Sequence, residues 1–191
     1  LRASSFKRLA QAEFRIAQQP GCLDRVRRAL SSARYLHQAL HYYEQAVTGF
    51  LVDDGKPVQR VASLHWVLVQ QLCLSAVLGK CVPEGTRETA LMSARAYVEH
   101  SSPEEQAWAH GSLAELALLA IEHLSMGQGH EGEFARVRAE AMQHVRELIR
   151  LARRLDNPFL IESNLRQFRR YVDWWGTTLL ENVVISLDLD D

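Results

Sequence analysis

The chain has 191 residues, of which 47% are hydrophobic and 24% charged, and its formal net charge at pH 7 is -1. That apolar content is enough for the core of one globular domain, with or without part of a second. The balance of 22 basic and 23 acidic residues excludes a polycation that coats nucleic acid, and ten glycines are too few for a fibrous chain.

The first two predicted helices come from apolar residues that recur at spacings of three and four, the period of an amphipathic helix. The first carries Phe6 to Ala17 and ends at Pro20 and Gly21. The second is long, and the turn-forming run 53–57 separates it from the third. We expect one buried stripe along the second helix, made of Val26, Leu30, Ala33, Leu36, Leu40, Tyr43, Val47 and Phe50.

The third predicted helix contains a run without charged residues, Val61 to Gly79, whose length is close to a membrane span. Polar residues interrupt this run, among them Ser63, His65 and Gln70. Because a lipid core disfavours such groups, we expect a central helix of the fold that is buried on most sides.

Four more helices are predicted after residue 85. The fifth has the best-marked start, with Ser102 as the cap, Pro103 at the first helical position and Glu105 three residues after the cap. The fourth covers roughly 86–100, and the sixth and seventh carry single apolar stripes over 134–155 and 161–175.

Seven helices joined by short turns predict an all-α fold of antiparallel helices stacked as helical hairpins. We expect the third and fifth helices inside, because they are apolar on more than one face. The helical domain is assigned to 1–176, and 177–191 to an acidic extended tail or the start of a following domain. The chain begins without Met, and we expect it to be a piece of a longer polypeptide.

A repeat-like pattern lies between Glu105 and Trp175. The residues that carry it are Trp108, Gly111, Ala114, Ala117, Ala120 and the run 140–145. This stretch resembles tetratricopeptide (TPR) helical repeats. The segment Phe159–Arg170 is similar to the closing helix of the regulatory region that precedes the kinase domain in ASK-type MAP kinase kinase kinases, also met in bacterial signalling and conflict proteins. The resemblance implies a TPR-like α-solenoid that acts as a regulatory or scaffolding module and binds protein.

No catalytic residue, metal site or cofactor is predicted. The sequence has neither a nucleophile elbow nor a phosphate-binding loop. The spacing of Arg138 and His144 fits the loose motif of HEPN-type RNases, but a chain this rich in arginine gives such matches by chance. His37, His41 and Glu44 share a helix face without a fourth ligand, so we expect that face to be solvated.

The cysteines indicate a reducing compartment. Cys22, Cys73 and Cys81 are an odd set without a CxxC pair, so neither a disulfide framework nor a zinc site is expected. We predict reduced thiols in a cytoplasmic protein.

Positive charge is concentrated near the C-terminal end of the helical region, with nine arginines against four acidic residues from Arg136 to Arg170. A guanidinium binds carboxylate or phosphate through two parallel hydrogen bonds, so an arginine cluster suits an anionic partner. An ordinary solvated surface is the competing interpretation. We expect the following residues to lie near one outer surface, the predicted arginine face: Arg146, Arg150, Arg153, Arg166, Arg169 and Arg170.

These patterns predict a non-enzymatic interaction or regulatory scaffold module of a larger cytoplasmic signalling or defence protein. The expected partner is another domain of the same polypeptide or a separate protein with an acidic segment. Neither a membrane nor nucleic acid is the expected partner, and a homo-oligomer stays open. The alternative is a helical domain that senses a ligand or nucleic acid through the predicted arginine face, with an HEPN-type RNase as a remote third.

Overall fold

The computed structural model describes residues 2–52, 57–125 and 131–175, and the regular structure within these ranges is entirely α-helical. The predicted all-α class with seven helices is confirmed for these residues. The predicted tail, 177–191, lies outside them. The helices are α1 (Arg2–Gln18), α2 (Arg25–Val52), α3 (Pro57–Val77), α4 (Thr86–His100), α5 (Pro103–Ser125), α6 (Glu131–Arg154) and α7 (Pro158–Trp175).

Consecutive helices pack together as three hairpins, α1 with α2, α3 with α4, and α5 with α6. α7 packs on α6, α5 and α1, so the first and last helices are in contact. At this contact Gln11 Nε2 donates to Asp173 Oδ2 at 2.9 Å, and Arg15 Nε donates to the same oxygen at 3.0 Å. The helical hairpins are therefore present, while a TPR-like superhelix stays a prediction.

α3 and α5 lie inside the fold, as their sequences predict. From Leu64 to Ser75 every side chain except Trp66 is buried, and so is every residue from Ala109 to Leu119. Because these stretches are covered on all sides, the polar residues within them need partners inside the protein. None of the described helices is both long and apolar enough to cross a membrane.

The start of α5 is fixed by the capping box that the sequence predicts. Ser102 N donates to Glu105 Oε2 at 3.0 Å, and Glu105 N lies 3.4 Å from Ser102 Oγ. The hydrogen bond from the Ser102 side chain lowers the pKa of Glu105. These bonds satisfy backbone donors that have no partner within the helix.

α6 and α7 complete the core with one face each. Val145 and Leu148 of α6 and Phe168 and Tyr171 of α7 are fully buried. Leu148 belongs to a cluster with Leu160 of α7, so the two helices share apolar contacts. Burial of a side chain of this size contributes roughly 1.5–3 kcal/mol.

The predicted stripe of α2 is wrong at its N-terminal end. Leu36, Leu40 and Tyr43 are buried as expected, but Val26 is 73% exposed and Leu30 66% exposed. α1 packs on the first turns of α2 through the side that carries Arg28 and Ser32: Arg28 Nη1 donates to Glu13 Oε1 at 2.9 Å, and Ser32 Oγ donates to the Ala10 carbonyl oxygen at 2.8 Å. Positions 26 and 30 lie about 200° around the helix from positions 28 and 32, so α1 leaves Val26 and Leu30 open to solvent.

α5 and α7 approach each other closely at Gly111. A Cβ atom at this position would overlap the Oδ1 atom of Asn164 and lie 2.9 Å from its Cγ. Asn164 is itself buried, and its Nδ2 atom donates to the Leu160 carbonyl oxygen at 2.8 Å. The contact leaves Asn164 little freedom to move away.

Replacing Gly111 by alanine should lower the free energy of unfolding by about 1–3 kcal/mol, because the added methyl group overpacks this contact. Gly49 of α2 is a matched control, since nothing lies within 4 Å of a Cβ added there. Gly49→Ala should stabilise the protein by roughly 0.5–1 kcal/mol through helix propensity. Urea denaturation of both variants measures the difference, and a Gly111→Ala protein as stable as the parent would contradict the described contact.

Candidate functional site

Five of the six residues of the predicted arginine face are exposed. Arg146, Arg150 and Arg153, here called the α6 arginines, lie opposite the buried stripe of their helix. Arg166 and Arg169 are exposed on α7. Their exposure agrees with the sequence analysis, while their role in binding stays a prediction.

The α6 arginines carry more positive charge than their neighbours neutralise. Arg150 Nε donates to Glu147 Oε2 at 2.7 Å, an exposed pair of the kind that contributes under about 1 kcal/mol. Arg146 and Arg153 form no ion pair with a residue that the structure describes. The helix therefore presents cations that are open to an external anion.

The prediction that Arg170 belongs to the exposed arginine face is wrong. Arg170 is buried, with 8% of its surface exposed. Its Nε atom donates to Gln11 Oε1 of α1 at 3.1 Å, and its Nη1 atom to Gln167 Oε1 at 3.0 Å. The side of α7 that carries Arg170 packs on α1. The sequence analysis did not anticipate this contact between the first and last helices.

A network of buried polar side chains joins α1, α3, α5 and α7. Lys7 Nζ donates to Gln70 Oε1 and, at 2.9 Å, to Gln167 Oε1. Gln167 Nε2 donates in turn to Gln70 Oε1 at 2.9 Å. Gln70 Nε2 donates to Glu115 Oε2 at 3.0 Å, and the Tyr171 hydroxyl donates to the same oxygen. One carboxylate and one ammonium group thus lie in the same buried region without touching.

Burial shifts the proton equilibria of this network toward neutral forms. It lowers the pKa of Lys7 to about 7, with repulsion from Arg170 as the second cause. It raises the pKa of Glu115, although hydrogen bonding from Tyr171 and attraction to Lys7 oppose the shift. The thiol of Cys73, 3.9 Å from Glu115 Oε2, also has its pKa raised by burial. Each change reflects the loss of water around a group that would otherwise be charged.

A cleft of about 120 Å³ lies beside the network. Its buried lining includes Ser112 and Asn164 as well as members of the network, and its exposed lining includes basic residues of α1 and α7. Positive charge exceeds negative charge in this cleft. The charged lining residues are Lys7, Arg8, Arg166, Arg170 and Glu115.

Aromatic side chains form a second part of the cleft wall. Trp108 and Phe159 meet nearly edge to face, with ring centroids 6.2 Å apart, and Trp66 is also part of the lining. The guanidinium carbon of Arg166 lies 5.7 Å from the centre of the Phe159 ring. This cation–π contact places a positive charge next to an apolar surface.

The other candidate residues of the sequence analysis are not among those that line the cleft. Arg138 is exposed, whereas His144 Nδ1 lies 3.0 Å from His110 Nδ1 in a pair between α6 and α5. Burial lowers the pKa of both histidines. Within the described ranges no group of three or more residues could hold a metal ion, and the candidate ligands of α2 are exposed: His37, His41 and Glu44.

No family model, curated protein or solved structure matches this chain. The resemblance to TPR repeats and to the regulatory region of ASK-type kinases therefore stays a prediction.

Sequence reasoning missed the buried network, although part of it left a signal. Gln70 and Glu115 are polar residues within the most apolar stretches of α3 and α5, where a buried partner is required. Lys7 gave no such signal, because a lysine on an amphipathic helix is normally exposed. Its burial depends on α7, which lies at the other end of the chain.

Proposed function

We propose that this chain is a non-enzymatic interaction module that docks an acidic segment of a partner protein on the α6 arginines. The observation that carries the proposal is the pair Arg146 and Arg153, which are exposed and lack a carboxylate partner among the described residues. Arginine suits this role, because its planar group can form two hydrogen bonds to one carboxylate.

The core holds α6 in a fixed orientation behind these side chains. Val145, Leu148 and Ala152 are buried, so α6 presents its arginines from a rigid support. Residues 146, 150 and 153 lie at i, i+4 and i+7, which spreads the positive charge over about 10 Å along one face. A segment with carboxylates at comparable spacing matches this row.

Binding of an acidic peptide tests the proposal. Fluorescence polarisation would follow a labelled helical peptide with glutamates at i, i+4 and i+7 at low and high salt. The variant Arg146→Glu with Arg153→Glu should bind about tenfold more weakly or worse at low salt, a loss of about 1.4 kcal/mol. The difference should shrink at high salt, because exposed charges are screened.

A control variant with the same change in net charge distinguishes docking on α6 from nonspecific electrostatic attraction of the peptide to the whole protein. Arg27 and Arg34 are exposed on α2 with the same spacing of seven residues. Reversing both to glutamate should change the affinity by less than about twofold if the peptide binds on α6. Equal losses in the two variants would show that only the net charge matters, which would contradict the proposed surface.

A further inference from the structure

Two buried basic side chains in the cleft form no direct ion pair with a carboxylate of the described residues. Lys7 is 3% exposed and donates to the amide oxygens of Gln70 and Gln167. Arg170 donates to the amide oxygens of Gln11 and Gln167. An amide oxygen satisfies a hydrogen bond but carries no net charge, and buried charges are normally paired with opposite ones.

Glu115 attracts both basic groups but forms a direct ion pair with neither. Its Oε2 atom accepts from Gln70 and from the Tyr171 hydroxyl, and Gln70 separates it from Lys7. Burial raises the pKa of Glu115, whereas the hydrogen bond from Tyr171 and the charges of Lys7 and Arg170 lower it. Two buried basic side chains therefore line the cleft without a carboxylate at ion-pair distance, and burial holds the pKa of one of them, Lys7, near 7.

We infer that the cleft between α1, α3, α5 and α7 binds a small organic carboxylate whose negative charge pairs with Lys7 and Arg170. This site is separate from the α6 arginines, which are not among the residues that line the cleft. The inference therefore does not depend on the proposed docking function.

The dimensions and lining of the cleft restrict the ligand. A cavity of about 150 Å³ holds benzene, so this cleft of about 120 Å³, which is open to solvent, can hold most of one small aromatic ring with its carboxylate. Ser112, Ser163 and Asn164 provide further hydrogen-bonding groups, and Trp108 and Phe159 provide an apolar wall. A carboxylate attached to a small aromatic ring matches both the basic, hydrogen-bonding lining and the apolar wall. Inorganic phosphate shares the anionic oxygens but has no apolar body.

Binding of an anion should be linked to uptake of a proton. The pKa of Lys7 is lowered to about 7 by burial and by Arg170, and a bound carboxylate would raise it again. At pH 8 a ligand that pairs with Lys7 therefore draws protons onto the amine, up to one per site. An anion held only at the exposed Arg8 and Arg166 would cause no such uptake.

Calorimetric titration of the full chain with benzoate at pH 8, in two buffers of different ionisation enthalpy, tests the inference. Benzoate should bind with proton uptake, whereas benzamide, its neutral analogue, should bind about tenfold more weakly or worse. Equal affinity for both compounds, or benzoate binding without proton uptake, would overturn the proposal. Phosphate that binds with uptake while benzoate does not would also overturn it, in favour of a phosphate site.

Two variants of the network give independent checks. Gln167→Glu places a carboxylate beside both cations, so it should weaken benzoate binding about tenfold and remove the proton uptake. Lys7→Met should have the same two effects, and the exposed Lys80→Met is its matched control. Circular dichroism establishes that each variant is folded. A folded Gln167→Glu protein that binds benzoate as the parent does would refute the site, even if Lys7→Met fails to fold.

Discussion

Replacing Leu148 with aspartate is expected to unfold this protein. Leu148 is completely buried in a cluster that includes Ala107, Leu151 and Leu160. The change removes a large apolar side chain and buries a carboxylate without a partner, for a combined cost of about 5 kcal/mol or more. Typical domains are stable by only about 5–15 kcal/mol. Far-UV circular dichroism during thermal denaturation measures the loss.

The neighbouring Arg150→Asp variant is the control, because it puts the same carboxylate on the exposed side of α6. It breaks the pair with Glu147, which has little energetic weight at the surface. We expect its free energy of unfolding to change by less than about 1 kcal/mol. If Leu148→Asp melts at the temperature of the parent, the assigned orientation of α6 is wrong.

Acid should destabilise the fold through His65 between pH 7 and pH 4. This side chain is buried in α3, its Nδ1 atom lies 2.9 Å from Ser112 Oγ, and burial lowers its pKa from 6.5 to about 4. Between these two pKa values His65 is protonated in the unfolded chain and neutral in the folded chain. The free energy of unfolding therefore falls as the pH drops below 6.5. A shift of this size corresponds to about 3 kcal/mol.

Comparison with His65→Asn isolates this contribution, because the amide keeps a hydrogen-bonding group near Ser112 but does not titrate. Glu115, whose pKa is raised by burial, acts in the opposite sense near pH 4 in both proteins, so it cancels from the comparison. Denaturation with urea at each pH should show a decline about 3 kcal/mol smaller in His65→Asn. His37→Asn, an exposed control, should decline as the parent does. Equal declines in all three proteins would contradict the buried, neutral state of His65.

Much of the fold could be predicted from the sequence because its signals are local. The capping box at Ser102 and Glu105 marks the start of α5, and apolar residues on more than one face identify α3 and α5 as inner helices. The exposure of the α6 arginines follows from the single stripe on the other side of that helix. Each of these features depends on residues within a few turns of one another.

The wrong predictions concern residues whose burial depends on a helix that is distant in the sequence. Val26 and Leu30 are exposed because α1 packs on the opposite side of α2, and an apolar stripe does not show which side a distant helix covers. Arg170 is buried because α1 packs against α7, a contact between residues almost 160 positions apart. The burial of Lys7 has the same origin, so the cleft could not be predicted from periodicity alone.

The most direct measurement of the docking proposal is a charge exchange across the interface. The protein with Arg146→Glu and Arg153→Glu is titrated with a peptide in which the glutamates at i, i+4 and i+7 are replaced by lysine. If the acidic peptide docks on α6, the exchanged pair should regain much of the lost affinity at low salt, while the parent protein should not bind the lysine peptide. If the variant binds the lysine peptide no more tightly than it binds the acidic peptide, the α6 arginines are a solvated surface and the docking proposal is wrong.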